Sequence, residues 1–224
     1  MPPKSTGLKW PPDQKVFDAF NASLSSITGP WYRVFLSANS NTPLYFGAHS
    51  SSRFDPKSGR FGVCYFARTP ESAFAEALDH LIDENGALES IHARSRFISS
   101  FMISPKGRNE PRAYDLTGKG LRRFHATPEY LNGSTARGYH CSRAWANRLM
   151  NHPSESSGIL YRGRASNEPC LALFGPKNRG FEIAETEYYS AFEDRKTRTR
   201  LSEAMDFHKW TVDFRHPLID PEDF

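Results

Sequence analysis

Four residues in the N-terminal half of the chain have the types and spacing to hold an anionic group against an aromatic ring. The first, Arg53, lies in the polar stretch SSSRFDPKSGRFGVCYFA, beside the turn residues Asp55 and Pro56. An arginine beside a turn can offer its planar guanidinium group to a phosphate or pyrophosphate. More often, such an arginine pairs with an acidic side chain at the surface. The sequence leaves both interpretations open.

The second and third residues lie on predicted strands. Arg33 is a cation inside the apolar stretch WYRVFL, which is typical of a buried strand. Because a buried cation must be paired or face a ligand, Arg33 favours an anion site near this strand. Tyr65 lies in VCYFA, where strand alternation puts it on the same face as Val63 and Ala67. It either packs in the core or stacks on a planar ring at the edge of a cleft.

The fourth residue, Glu76, lies on the helix that the sequence predicts most clearly, over residues 69–86. Thr69 is a good N-cap, Pro70 suits the first helical position, and Gly86 suits the end. At 100° per residue, Glu76 falls almost opposite the apolar stripe formed by Phe74, Leu78 and Leu81. This geometry favours a solvated glutamate, unless the polar face of the helix borders a cleft.

The elements that must position these residues are strands mixed with helices. They lack the regular alternation of a doubly wound sheet, so we predict an α+β fold. Further helices are expected over residues 13–27, 142–151 and 200–210, and further strands over 95–104, 158–164 and 170–175.

Composition narrows the classes of function. The net charge of the 224 residues is +4, which permits an anionic ligand but does not require nucleic acid, and we interpret the basic run at 195–200 as a solvated helix face. The three cysteines form no CxxC pair or Cys/His cluster, so we expect no metal. No apolar stretch has the length of a membrane span or of the apolar core of a signal peptide. A Walker loop, a GxSxG elbow and an HExxH motif are also missing from the sequence.

Several segments, taken in order, resemble the RES domain family, which is named for arginine, glutamate and serine. The resemblance begins with WYRV, continues with SSRFDP followed by VCYFA, and includes the helix TPESAFAEALDHL. It continues through AYDLTG, YHCSRAWANRL, GILYRGR and CLALF, and it covers roughly residues 31 to 175. Each segment alone is weakly specific, whereas the ordered set is fairly specific.

The resemblance implies a fold and an activity. The expected fold is similar to that of ADP-ribosyltransferases, with a mixed or antiparallel split sheet and flanking helices. Many RES proteins are toxins that consume NAD⁺ by hydrolysis or phosphorolysis of the nicotinamide–ribose bond, and they are typically paired with an antitoxin. The resemblance implies that Arg33 and Arg53 hold the phosphates or ribose of NAD⁺, that Tyr65 stacks on nicotinamide, and that Glu76 stabilises the ribosyl cation. Glu76 and Arg53 are therefore the expected catalytic residues.

One departure from the family pattern falls on Gly163, which occupies the position of the family's serine in GILYRGR. Ser166 lies three residues further on and is the candidate substitute, so both residues join the expected NAD⁺ site. Transfer of ADP-ribose to a macromolecule, and a non-catalytic nucleotide-binding or nucleic-acid-binding module, remain as alternatives.

The expected organisation is an N-terminal extension over residues 1–30, an NAD⁺-binding catalytic domain over 31–180, and a C-terminal helical extension over 181–224. The expected partners are NAD⁺ and an antitoxin or immunity protein, with no membrane and no nucleic acid. The expected location is the cytoplasm of the producing cell, or of a recipient cell if the protein is delivered as an effector.

Overall fold

The computed structural model describes residues 10–36, 44–48, 52–82, 84–89, 96–106, 110–127, 131, 136–175, 181–190 and 194–213. The helices in this part of the chain are α1 (Gln14–Phe17), α2 (Pro70–Leu78), α3 (Lys119–Arg123), α4 (Ala136–Asn151) and α5 (Arg195–His208). The strands are β1 (Leu24–Ser26), β2 (Gly29–Leu36), β3 (Val63–Ala67), β4 (Ala87–Glu89), β5 (Arg96–Pro105), β6 (Arg112–Asp115), β7 (Gly158–Arg162), β8 (Pro169–Phe174), β9 (Phe181–Ser190) and β10 (Thr211–Asp213).

Eight of these strands form one mixed sheet in the order β1-β6-β7-β8-β3-β2-β5-β9. All neighbours are antiparallel except β6 and β7, which are parallel. Strands β4 and β10 form a separate parallel pair. The predicted α+β fold with a mixed sheet and flanking helices is confirmed.

The sheet opens between β2 and β3, at its centre. Strand β2 pairs with β5 along its whole length, and β3 pairs with β8 along its whole length. Between β2 and β3, however, the register contains a single pair, Tyr32 with Ala67. Strands β2 and β3 are not paired beyond that point. The predicted split of the sheet therefore lies between the strand that carries Arg33 and the strand that carries Tyr65.

Helix α2 begins as its sequence predicts and ends earlier. The Thr69 hydroxyl accepts a hydrogen bond from the Ser72 N–H at 3.2 Å, and Pro70 is the first helical residue. The α-helix ends at Leu78, and a single 3₁₀ turn carries the chain to Leu81. The predicted terminus Gly86 instead lies in the turn before β4, with φ of +80°, a conformation that favours glycine.

Apolar side chains pack on both faces of the sheet. One cluster contains Phe74 and Leu78 of α2, and the other contains Trp31 of β2 and Phe101 of β5. The three cysteines, Cys64, Cys141 and Cys170, are free and buried.

The helix predicted over residues 13–27 is wrong beyond its first turn. Helix α1 ends at Phe17, and the chain then forms β1, which pairs with β6 at the edge of the sheet. Phe17 and Ile27 are both fully buried, but they are buried by separate elements, and Val16 is more than half exposed. The apolar spacing therefore mimicked one helix, although Ser23, Ser25 and Ser26 disfavour one.

The segment after residue 180 was predicted to be helical, but it contains a strand as well as a helix. Its first ten residues form β9, which extends the sheet beyond β5, and α5 follows. The glutamates of FEIAETEYYS obscured the strand pattern, because Glu182 and Glu185 are exposed on an edge strand. Residues 214–224 lie outside the described part of the chain.

In the described ranges, no helix has both the length and the apolar character that crossing a membrane requires.

Candidate active site

A cavity of about 530 Å³ lies where the sheet opens, and its volume is in the range of small-molecule and cofactor sites. It brings together four of the six predicted site residues, which are Arg33, Arg53, Tyr65 and Glu76. Its lining residues come from β2, β3, α2 and the segments around them: Tyr32, Arg33, Val34, Ser52, Arg53, Tyr65, Phe66, Ala67, Ala73, Glu76, Ala77, Asp79, His80, Tyr139, Tyr161, Arg164 and Ala165.

Glu76 reaches the cavity because the polar face of α2 borders it. Ala73 lies one turn before Glu76 on the same face and also lines the cavity, as does the adjacent Ala77. The apolar stripe on the opposite face, represented by Phe74 and Leu78, packs in the core. Glu76 is consequently half-buried rather than fully solvated, and the helix-wheel interpretation of a solvated glutamate is wrong.

The Glu76 carboxylate is held by the loop that joins β7 to β8. Its Oε1 accepts hydrogen bonds from the Ala165 N–H at 2.9 Å, the Ser166 N–H at 3.1 Å and the Ser166 hydroxyl at 3.2 Å. Its Oε2 accepts one hydrogen bond, from the Arg164 N–H at 3.2 Å. Three consecutive backbone N–H groups thus point at one carboxylate, and this arrangement fixes its orientation.

The guanidinium group of Arg53 is fixed by peptide carbonyls and aromatic rings. Nε and Nη2 donate to the Leu131 carbonyl at 3.1 and 2.9 Å, and Nη1 donates to the Arg162 carbonyl at 3.2 Å. The cation also lies 5.2 Å from the ring centre of Phe54 and 5.3 Å from that of Tyr161. Burial lowers the pKa of Arg53, although Glu76 and Tyr161 act to raise it. Carbonyl oxygens and aromatic rings thus fix the position of the cation.

The backbone of the Arg53 loop is held by Tyr65 and by α4. The Tyr65 hydroxyl donates to Asp55 Oδ1 at 2.8 Å and accepts from the Phe54 N–H at 2.9 Å. From α4, the buried Ser142 hydroxyl donates to the Arg53 carbonyl at 2.6 Å. Burial, and then the Asp55 carboxylate, raise the pKa of Tyr65 well above its usual value. Tyr65 therefore stays protonated and holds the loop with its hydroxyl while its ring lines the cavity.

Arg33 lines the cavity at the opening of the sheet, although strand alternation puts its side chain on the opposite side of β2 from Tyr32 and Val34, which also line the cavity. Its Nη1 donates to the Tyr45 carbonyl at 3.1 Å and to the Cys64 sulfur. Its Nε is buried and has no hydrogen-bond partner among the described residues. Burial raises the pKa of the Cys64 thiol to about 11, so this thiol is neutral at physiological pH and does not compensate the Arg33 charge.

Residues that sequence reasoning missed complete the cavity wall. Tyr161 is buried at the end of β7, near Glu76 and Arg53, and burial raises its pKa well above the usual value. Arg164 forms an ion pair with Asp79, and Asp79 lies three residues after Glu76 at the end of α2. The sequence offered a signal for both residues, because Tyr161 and Arg164 lie within two positions of Gly163 in the stretch GILYRGR.

Gly163 packs closely against the ends of two side chains. A Cβ atom on this residue would approach Glu76 Oε1 and Ser166 Oγ more closely than real Cβ atoms approach other atoms, so at least one of these side chains would have to shift. A serine at position 163 would therefore displace the carboxylate or the Ser166 hydroxyl. The absence of the expected serine thus has a steric reason, and a serine hydroxyl still contacts Glu76 from position 166.

A comparison with protein families matches the family model described as RES domain to residues 30–214. The chain belongs to the RES domain family. The match begins at β2 and extends past residue 175, where the sequence resemblance stops, to include β9 and α5. The sheet edge that β9 forms is thus part of the matched RES domain.

The fold is also similar to a chain in the crystal structure of the M.tuberculosis MbcT-MbcA toxin-antitoxin complex. The TM-score is 0.61 and the sequence identity is 11%, with 84% of this RES chain and 96% of that chain covered. A comparison with curated proteins finds no match. Among the described residues, no group of histidine, cysteine, aspartate and glutamate side chains has the arrangement of a metal site.

Proposed function

We propose that this RES protein is an NAD⁺-consuming enzyme that cleaves the bond between nicotinamide and ribose. The observation that carries the proposal is the convergence of Arg33, Arg53, Tyr65 and Glu76 on one cavity, although they are spread over more than forty positions of sequence. Membership of the RES family supports NAD⁺ as the substrate, because many RES proteins degrade it.

The chemistry suits these side chains. When the glycosidic bond breaks, its electron pair returns to the pyridinium nitrogen, so nicotinamide leaves neutral and needs no acid. The positive charge remains on the ribose as an oxocarbenium ion, which a fixed carboxylate such as Glu76 stabilises. Water or phosphate then attacks C1′ and loses its proton, giving ADP-ribose or its 1-phosphate.

Arginine guanidinium groups fit the pyrophosphate of NAD⁺, and their role in the proposal is to orient it. Arg53 is held rigidly by the Leu131 and Arg162 carbonyls, so little conformational freedom is lost when an anion binds. Arg33 also lines the cavity, with its Nη1 held by the Tyr45 carbonyl, so it supplies a second positive charge near a bound pyrophosphate. The Tyr65 ring supplies a flat wall for nicotinamide.

The proposal is tested by incubating the purified protein with NAD⁺ and following nicotinamide release, with and without phosphate. We expect release by the parent protein and its loss in Glu76→Gln, with ADP-ribose or its phosphate ester as the second product. Label from NAD⁺ that stays on protein or nucleic acid would instead identify a transferase. A folded parent protein that leaves NAD⁺ intact would contradict the proposal.

We further propose that the protein acts as a toxin and that an antitoxin protein binds it. The structural likeness to a chain of a toxin-antitoxin complex supports this role, as does the family's frequent occurrence in such pairs. Expression from an inducible promoter should arrest growth of a bacterial host and lower its NAD⁺ content. Growth at the uninduced rate, with the protein present and NAD⁺ unchanged, would contradict a toxic activity.

A further inference from the structure

The loop beside Glu76 has room for one side-chain group next to the carboxylate, and the hydroxyl of Ser166 takes that place. A Cβ on Gly163 would meet both Glu76 Oε1 and Ser166 Oγ at less than 3 Å. The loop is closed by the Gly163 N–H, which donates to the Glu168 carbonyl at 2.9 Å. The two positions therefore compete for the same volume, and a side chain at position 163 would force the Ser166 hydroxyl or the Glu76 carboxylate to shift.

The Ser166 hydroxyl is oriented toward Glu76. It accepts a hydrogen bond from the Glu168 N–H at 3.2 Å and donates to Glu76 Oε1 at 3.2 Å. The Cys170 thiol is also within reach, but burial raises its pKa, and a neutral thiol is a weak acceptor. The hydroxyl proton therefore goes to the carboxylate, which is the stronger acceptor.

The hydrogen bonds are distributed unequally between the two carboxylate oxygens. Within the described part of the chain, Oε1 accepts three, two of them from Ser166, whereas Oε2 accepts one, from the Arg164 N–H. Each carboxylate oxygen has two lone pairs that accept hydrogen bonds well. Both lone pairs of Oε1 are therefore occupied, whereas Oε2 can accept one more hydrogen bond or approach a positive charge. The loop thus distinguishes two oxygens that are chemically equivalent in a free glutamate.

We propose that Ser166 is a positioning residue for Glu76: its hydroxyl fixes Oε1, so that Oε2 is the oxygen presented to the reacting ribose. Gly163 is the matching requirement, because it leaves the space that the hydroxyl fills. The inference rests on the proposed function, since the ribose is that of the NAD⁺ substrate named there.

The first test is Ser166→Ala, with Ser202→Ala on the exposed surface of α5 as the matched control. Loss of one hydrogen bond to a charged group corresponds to about a tenfold change, and we expect kcat for NAD⁺ cleavage to fall by about tenfold. KM should change by less than about twofold, because Ser166 does not hold the pyrophosphate. The control should keep the parent kcat, and both variants should unfold at temperatures close to that of the parent.

The second test is a double-mutant cycle with Gly163→Ala, which adds only the Cβ. In the parent the added atom meets both Glu76 Oε1 and Ser166 Oγ, whereas in the Ser166→Ala background the second contact is gone. We therefore expect Gly163→Ala to lower kcat by a smaller factor in the Ser166→Ala background than in the parent.

The outcomes separate this inference from the proposed function. If the parent cleaves NAD⁺ and Ser166→Ala does so with an unchanged kcat, the positioning role is refuted while the function stands. If the fold-changes in kcat caused by Gly163→Ala and Ser166→Ala simply multiply in the double variant, the claim that the two side chains compete for the same volume is refuted. If the folded parent does not cleave NAD⁺, the proposed function fails and this role fails with it.

Discussion

Replacing Glu76 by glutamine tests the role of its charge while preserving its shape. The amide oxygen of the new side chain can replace Oε1 and accept the three hydrogen bonds from Ala165 and Ser166. Its NH₂ group then faces the Arg164 N–H, which now donates to Oε2 at 3.2 Å. One hydrogen bond to a charged group is replaced by a contact between two donors.

The structural cost of this change is modest because the site is only half-buried. We expect a loss of about 1.5 kcal/mol of stability, the lower end for a hydrogen bond to a charged group, which lowers Tm by about 3–6 °C in a chain of this size. The catalytic cost is larger, because the negative charge opposite the oxocarbenium ion disappears. Removing one electrostatic partner of a transition state lowers kcat by about 10²–10³-fold.

The assay is nicotinamide release under saturating NAD⁺, read beside thermal unfolding of the same preparations. Glu203→Gln, on the exposed surface of α5, is the control and should match the parent in both readouts. A folded Glu76→Gln variant with the parent kcat would refute the reasoning, because the charge would then have no part in the reaction.

Three other predictions follow from single contacts. Tyr65→Phe keeps the ring but leaves the buried Asp55 without its hydroxyl donor, so the free energy of unfolding should fall by about 1–3 kcal/mol, measured by urea titration. Ser142→Ala loosens the Arg53 backbone and should raise KM for NAD⁺ several-fold, whereas Ser202→Ala should not. Thiols of the native protein should react slowly with a disulfide reagent at pH 8, because they are buried and the pKa of the Cys64 thiol is about 11; in guanidinium all three should react fast. Fast reaction of the native protein would contradict the burial of these three thiols.

The strands and the helix that carry the site could be predicted because their signals are local. The Thr69 N-cap and Pro70 fix the beginning of α2, and the apolar run around Arg33 fixes β2. Arg33 was expected to need a partner, and the structure provides one in the Tyr45 carbonyl.

The environment of Glu76 could not be predicted in the same way. Its helix position indicates solvent, but a loop nearly ninety residues away in sequence covers it, and no local pattern records that contact. The single register pair between β2 and β3 is equally invisible in the sequence, although it creates the cavity. In β9, Phe181 and Ile183 pack toward the core, but the next three residues, 184–186, are all exposed, so the alternation that would identify a strand is short.

The central claim is that the opening of the sheet at β2 and β3 is an NAD⁺ site. A crystal structure of the Glu76→Gln variant with NAD⁺ tests it most directly, because slow turnover keeps the substrate intact. The account predicts the pyrophosphate at Arg33 and Arg53, the nicotinamide ring against Tyr65, and C1′ about 3.5 Å from the side chain at position 76. NAD⁺ bound elsewhere on the protein, with this cavity empty, would contradict it.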